Sequence, residues 1–169
     1  DGNLSSNLPS CPLSGPFHNC FGQDVSIDKS GSVFSPAIFG SGRSIDEEVG
    51  VYQGELKNNK MHGLGRLMAN NDVFAYSGNF FNGIFHGKGR LERRTGIVYD
   101  YKPVIYDGNW KHGKFHGKGI YIDQMGSKYI GEWQNGKRYG KGEKVFLSGY
   151  KFSGEWKDND NEYTKIPDP

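Results

Sequence analysis

The sequence predicts an all-β fold: an elongated, twisted antiparallel meander of tandem β-hairpin repeats, preceded by an irregular N-terminal cap. Three observations carry that expectation. Glycine is abundant (26 of 169 residues) and aromatics are plentiful (11 Phe, 10 Tyr, 3 Trp), while hydrophobic residues make up 34%. Glycine and aromatics with few aliphatics favour strands and tight turns over helices. A Tyr-x-Gly-x-aromatic pattern recurs along residues 52–156, and Asn-Gly or a close equivalent follows it in each complete recurrence. Asn-Gly between alternating segments is the strongest short hairpin signal, because both residues tolerate the positive φ of a type I′ turn.

Residues 1–50 form the expected cap, rich in Gly, Ser and Pro. The chain opens Asp1-Gly2-Asn3 without Met, which suits a processed N-terminus or a trimmed chain. Its two cysteines are Cys11 and Cys20. An even, closely spaced pair in such a segment suits a disulfide and an oxidising compartment; two unrelated buried thiols are the alternative. Closing so short a loop stabilises by roughly 2–3 kcal/mol on the chain-entropy model.

The repeats occupy residues 51–157. The first reads Tyr52-Gln-Gly54-Glu-Leu56, then Asn58-Asn59, then His62-Gly63-Leu-Gly65. The second reads Tyr76-Ser-Gly78-Asn-Phe80, Asn82-Gly83, His86-Gly87-Lys-Gly89. The third reads Tyr106-Asp-Gly108-Asn-Trp110, His112-Gly113, His116-Gly117-Lys-Gly119, and the fourth Tyr129-Ile-Gly131-Glu-Trp133, Asn135-Gly136, Tyr139-Gly140-Lys-Gly142. A half unit, Phe152-Ser-Gly154-Glu-Trp156, follows. Starts at 52, 76, 106, 129 and 152 give steps of 24, 30, 23 and 23 residues, and the long step holds an insertion around Thr95 to Ile105. Residues 158–169 turn acidic and read as a tail leaving the sheet.

Two-residue turns at 58–59, 82–83, 112–113 and 135–136 predict one register for all four hairpins. Counting outward, Trp133 faces Arg138, Gly131 faces Gly140, Gly78 faces Gly87, and Asp107 faces Lys118. Strand alternation puts Tyr, Gly and Trp of each first strand on one face with both glycines of the second. Rings lying over those glycines would form the core. The same side chains (Tyr52, Tyr76, Phe80, Tyr106, Trp110, Tyr129, Trp133 and Trp156) are the candidate aromatic interaction face, because a single sheet has a face to hide.

Lys88, Lys118 and Lys141 form a candidate basic ladder on the opposite face, with steps of about 10 Å at ~4.8 Å per strand. It suits an acidic protein strip or anionic head groups, or else is a solvated face. His62, His86 and His116 recur at equivalent positions, but rungs that far apart cannot share one metal ion, whose ligands each lie about 2.1 Å from it. Packing at a hairpin junction is the expected role, with Glu55 orienting His62. The Gly-Lys-Gly triplets lack the helix that a phosphate loop requires. A net charge of +2 with interspersed signs gives no argument for nucleic acid. No apolar run approaches the ~20 residues of a membrane-spanning helix, and the mean hydropathy is −0.72. No catalytic constellation appears, and no metal or cofactor is expected.

The Tyr-x-Gly-x-Trp, turn and His-Gly-x-Gly pattern over residues 52–157 resembles the MORN repeat (membrane occupation and recognition nexus). Tyr139 in place of His and Asn58-Asn59 in place of Asn-Gly are its departures. Asn19-Cys20-Phe21-Gly22 looks like a degenerate unit end, with Cys20 where Gly usually sits. Cys11-Pro followed by Cys-x-Gly resembles the cap of bacterial extracytoplasmic MORN proteins, which implies an extracytoplasmic protein. The family resemblance implies a non-enzymatic scaffold that binds protein partners or further copies of itself. Its alternative is a module for anionic lipid at a membrane surface.

Overall fold

A computed structural model of the protein describes residues 9–10, 20–28, 33–34, 48–69, 74–94, 102–158 and 160–161, and gives side chains for those within 9–10, 50–68, 74–94 and 102–158. The described residues are all-β, without helix. Strands β1 (Cys20–Asp28) and β2 (Val33–Phe34) precede the repeats. Then come β3 (Glu48–Lys57), β4 (Lys60–Ala69), β5 (Phe74–Phe81), β6 (Ile84–Arg93), β7 (Val104–Lys111), β8 (Lys114–Ile122), β9 (Lys128–Gln134), β10 (Lys137–Val145), β11 (Lys151–Lys157) and β12 (Asp160–Asn161). Their order across the sheet, β12 through β3 and then β1 and β2, is an antiparallel meander that does not close.

All four predicted turns form. Asn58, Asn59, Asn82, His112 and Asn135 have φ between 50° and 58°, and Gly83, Gly113 and Gly136 lie at 73–86°. The flanking pairs Lys57↔Lys60, Phe81↔Ile84, Lys111↔Lys114 and Gln134↔Lys137 fix each turn at two residues.

The register beyond the turn needs correction. Trp133 does face Arg138, but Gly131 faces Gly142 rather than Gly140. Likewise Gly78 faces Gly89, Gly108 faces Gly119 and Gly54 faces Gly65, while Asp107 faces Ile120 rather than Lys118. Each second strand carries a bulge of two extra residues. At its centre sits the first glycine of His-Gly-x-Gly, left-handed with φ of 59° at Gly117, a conformation in which a Cβ costs roughly 1–2 kcal/mol. A slip of one residue would have exchanged the two faces. A slip of two preserves them, so the face assignments stand while the partners change.

In the first three hairpins the side chain that follows the first-strand glycine closes the bulge. Glu55 Oε1 accepts from the Leu64 backbone N–H (3.2 Å), and Asn79 and Asn109 donate through Nδ2 to the carbonyls of Lys88 (3.2 Å) and Lys118 (3.1 Å). Glu55 therefore serves the bulge rather than the His62 ring. His62 Nδ1 instead accepts from the Asn82 N–H of the next turn, at 3.5 Å.

The ends also differ from expectation. The cap contributes β1, which pairs with β3 as Cys20↔Leu56 and Gly22↔Gly54. Gly63↔Phe80 and Gly65↔Gly78 are the equivalent pairs between repeats, so Cys20 pairs with β3 where Gly63 pairs with β5. At the C-terminus, Lys157↔Asp160 and Trp156↔Asn161 begin a fifth hairpin, with Asp158 at φ 54°, so the sheet continues past 157. Ile105 lies inside β7, which confines the long insertion to residues between Arg93 and Val104. Cys11 and its pairing with Cys20 lie outside the described residues.

Candidate functional site

The rings come first, because their placement decides which surface is left for partners. Tyr52, Tyr76, Tyr106 and Tyr129 are 0–2% exposed, and Phe80, Trp110, Trp133 and Trp156 are 2–6%. Each tyrosine lies over the glycines of its own hairpin; Tyr76, Tyr106 and Tyr129 meet the aromatic residue of their own unit and that of the next edge to face, while Tyr52, whose unit carries Leu56, meets Phe80 of the next. Tyr106, for example, has Trp110 at 5.1 Å and Trp133 at 5.4 Å, both near 88°. Phe115 stacks on the same ring at 3.7 Å, as Phe85 stacks on Tyr76 at 3.8 Å. Edge-to-face pairs contribute about 0.5–1.5 kcal/mol each beyond their burial.

The polar tips of the four tyrosines and of Trp110 and Trp133 are satisfied as well. Tyr76 and Tyr106 donate to the carbonyls of Asn79 (2.9 Å) and Asn109 (2.8 Å), and Trp110 and Trp133 donate through Nε1 to those of Gly89 (2.9 Å) and Gly119 (3.3 Å). Burial pushes every one of these phenols up, Tyr129 to about 12. The core reading of the aromatics is the one observed. An exposed aromatic stripe is not, because these eight rings are interior.

In the fourth hairpin Arg138 takes the stacking place of Phe85 and Phe115. Its guanidinium lies 4.8 Å from the Trp156 ring and 5.6 Å from that of Tyr129. Units are joined through their turns, where Gly83, Gly113 and Gly136 donate N–H to the carbonyls of Met61, Phe85 and Phe115 at 2.8–3.0 Å.

The opposite face is the surface on offer. Lys88, Lys118 and Lys141 are exposed there. The ladder is not purely basic: Lys118 faces Glu132, Lys141 faces Glu155 and Lys88 faces Asn109. Beside it Ile120 faces Ile130, with 40% and 42% exposure. These two isoleucines floor an open depression of about 670 Å³, edged by Lys118, Lys141, Asp107, Glu132 and Glu143. Sequence reasoning missed this apolar floor. Alternation places both isoleucines on the outer face, but only the true register sets them side by side.

The histidines gather more closely than repeat spacing suggests. His86 lies 5.7 Å from His112, ring to ring, because His112 belongs to the turn of the next hairpin. Phe81 lies between His62 (5.2 Å) and His86 (5.8 Å). Among the described residues no three His, Cys, Asp or Glu side chains gather as a metal site. Burial is the main cause that draws His62 below the ordinary imidazole range.

Beside this geometry stands the family comparison: the MORN repeat model matches residues 52–73, 76–98, 106–128 and 129–149, more than half of the chain. The chain is a MORN-repeat protein. The matched segments begin at Tyr52, Tyr76, Tyr106 and Tyr129, the four tyrosines that lie over glycines. No curated protein matches the MORN chain. MORN repeats are interaction modules for proteins or lipids, and the repeat itself is non-enzymatic. Among the described residues no helix is long and apolar enough to cross a membrane.

Proposed function

We propose that this MORN sheet is a non-enzymatic scaffold that docks protein partners as an accessory part of a larger assembly. The observation that carries the proposal is the Ile120–Ile130 floor and its charged rim, an open and shallow surface on a rigid sheet. Such a surface suits a broad contact with an apolar centre and polar edge. The lipid alternative draws less support, because the lysine ladder that suggested it faces Glu132 and Glu155.

The test is isolation of the native complex with mass measurement, beside an Ile130→Asp variant. The variant should lose co-isolating proteins while melting within about 4 °C of the parent, the scale of about 1 kcal/mol lost at a half-exposed strand position. A parent chain that stays monomeric in its host after mild crosslinking would overturn the proposal.

The proposal extends to location. An extracytoplasmic protein with a Cys11–Cys20 disulfide is supported by the pair of cysteines, the only two in the chain. Alkylation of both thiols without prior reduction, in protein taken from its host, would refute that part.

A further inference from the structure

A row of residues beside the hairpin turns, outside the ladder and the isoleucine depression, holds an arrangement that folding alone disfavours. The residues flanking each turn are cross-strand partners, and they point away from the ring core: Leu56 and Met61 are buried, and Lys57 and Lys60 exposed. In the first hairpin the partners are Lys57 and Lys60, and in the third Lys111 and Lys114. Like charges directly opposite one another destabilise a strand pair. Among the described residues no carboxylate forms an ion pair with either, and the ion pair along this row is that of Lys137 with Asp158, at 3.4 Å. Between the two lysine pairs the second hairpin presents Phe81 and Ile84, 51% and 47% exposed and again partners. The row therefore reads cationic, apolar, cationic.

We propose that this row binds an extended acidic protein segment carrying one large apolar residue midway between carboxylates. The proposal rests on the scaffold reading and names a second docking surface with its partner chemistry. Spacing sets the segment. The lysine pairs are two repeats apart, so the row runs about 19 Å along the sheet at ~4.8 Å per strand, and twist, which splays turns lying off the sheet axis, lengthens the path to about 25 Å. An extended chain rises about 3.3 Å per residue, so acidic residues about six to eight apart would reach both pairs, with the apolar residue falling on Phe81 and Ile84. Phe81 is propped by His62 and His86, so its exposed ring is seated in advance. Twist favours a peptide over a bilayer. Adjacent strands rotate by roughly 20–25°, so turns two repeats apart face directions that differ by about 80–100°, and a plane meets few of them at once while a flexible chain follows the row.

The probe is a labelled synthetic peptide with a central leucine and a pair of glutamates on each side, the two pairs spaced about six to eight residues apart by serines, titrated against the full chain by fluorescence anisotropy. Binding should weaken by about tenfold or more from low to physiological salt, as exposed charge pairs are screened. Lys57→Glu with Lys111→Glu should lower affinity at least tenfold and flatten the salt dependence. Phe81→Ser should lower affinity about tenfold, the scale of an interface anchor, and keep the salt slope. Lys114→Glu alone replaces a like-charge pair by an opposite one, so it should raise the melting temperature while it weakens binding. A purely structural role for the lysines would not move the two readouts in opposite directions.

Equal affinity for a peptide with serine at its centre, or unchanged affinity in the lysine variants, overturns the proposal. Tighter binding to phosphatidylserine vesicles or to a single-stranded oligonucleotide than to the peptide also overturns it. A native complex that survives Lys57→Glu with Lys111→Glu but is lost with Ile130→Asp would sink this site and leave the scaffold reading standing.

Discussion

Replacing Gly119 by alanine tests whether rings over glycines hold the sheet together. A Cβ on Gly119 would lie 2.5 Å from the Tyr106 Oη and 2.7 Å from its Cε2 and Cζ. Non-bonded carbons settle at about 3.5–4.0 Å, so the ring must lift by about 1 Å. It has nowhere easy to go, being 0% exposed and held between Trp110, Phe115 and Trp133. Overpacking of this kind costs about 1–3 kcal/mol. Lifting the phenol also strains its 2.8 Å bond to the Asn109 carbonyl, worth about 1 kcal/mol. The expected loss is therefore about 3 kcal/mol, a large fraction of the roughly 5–15 kcal/mol that holds a typical domain. Urea denaturation followed by tryptophan fluorescence reads it directly, because Trp110 and Trp133 touch the displaced ring. Gly149→Ala is the control: its φ is 86° but nothing lies within 4 Å of the added carbon, so it should lose only about 1–2 kcal/mol of backbone strain. If Gly119→Ala proved as mild as Gly149→Ala, the ring-over-glycine account would be wrong.

Other expectations follow from the same packing. Arg138→Ala should cost about 1–2 kcal/mol by removing the guanidinium from over Trp156 and Tyr129, and Arg138→Phe should recover that loss in a thermal melt by restoring the stack seen at Phe115. His112→Asn should add a few tenths of a kcal/mol, because His112 holds φ 51° and Asn accepts the left-handed region more readily; a lower melting temperature would count against it. The folded phenols of Tyr52, Tyr76, Tyr106 and Tyr129 ionise above the ordinary value of 10. Their stabilisation is complete below pH 10 and is lost as pH rises through the folded values, by at most about 1.4 kcal/mol per pH unit for each tyrosine. Denaturant midpoints should fall steeply above pH 10, and a flat alkaline limb would refute the burial argument. His62 gives the opposite limb: its folded imidazole binds a proton less readily than the free one, so stability should fall slightly below about pH 6.5, and His62→Gln should remove that dependence.

The four turns, the all-β class and the face carried by each residue were legible in the sequence, since all three depend on neighbours along the chain. Asn82-Gly83 sets its own φ values, and alternation assigns Tyr76, Gly78 and Phe80 to one face whatever lies across from them. The cross-strand partners were not legible. The two-residue bulge centred on glycines such as Gly117 turns on how Asn109 reaches across to the Lys118 carbonyl and on where the Tyr106 ring comes to rest, neither of which is encoded within one strand. The unbroken register between β8 and β9, closed by the Asp123–Ser127 turn, placed Ile120 beside Ile130, set Glu132 opposite Lys118, and so moved the candidate surface from the basic ladder to an apolar floor. Burial was likewise decided in three dimensions. The sequence offers eight aromatic positions that could face a partner or one another. The long-range meeting of each ring with the next hairpin, as in Tyr106 against Trp133, turned them inward. Local backbone preferences act over two to four residues and are written in order along the chain. Packing between hairpins joins residues more than twenty positions apart, and the folded sheet alone decides it.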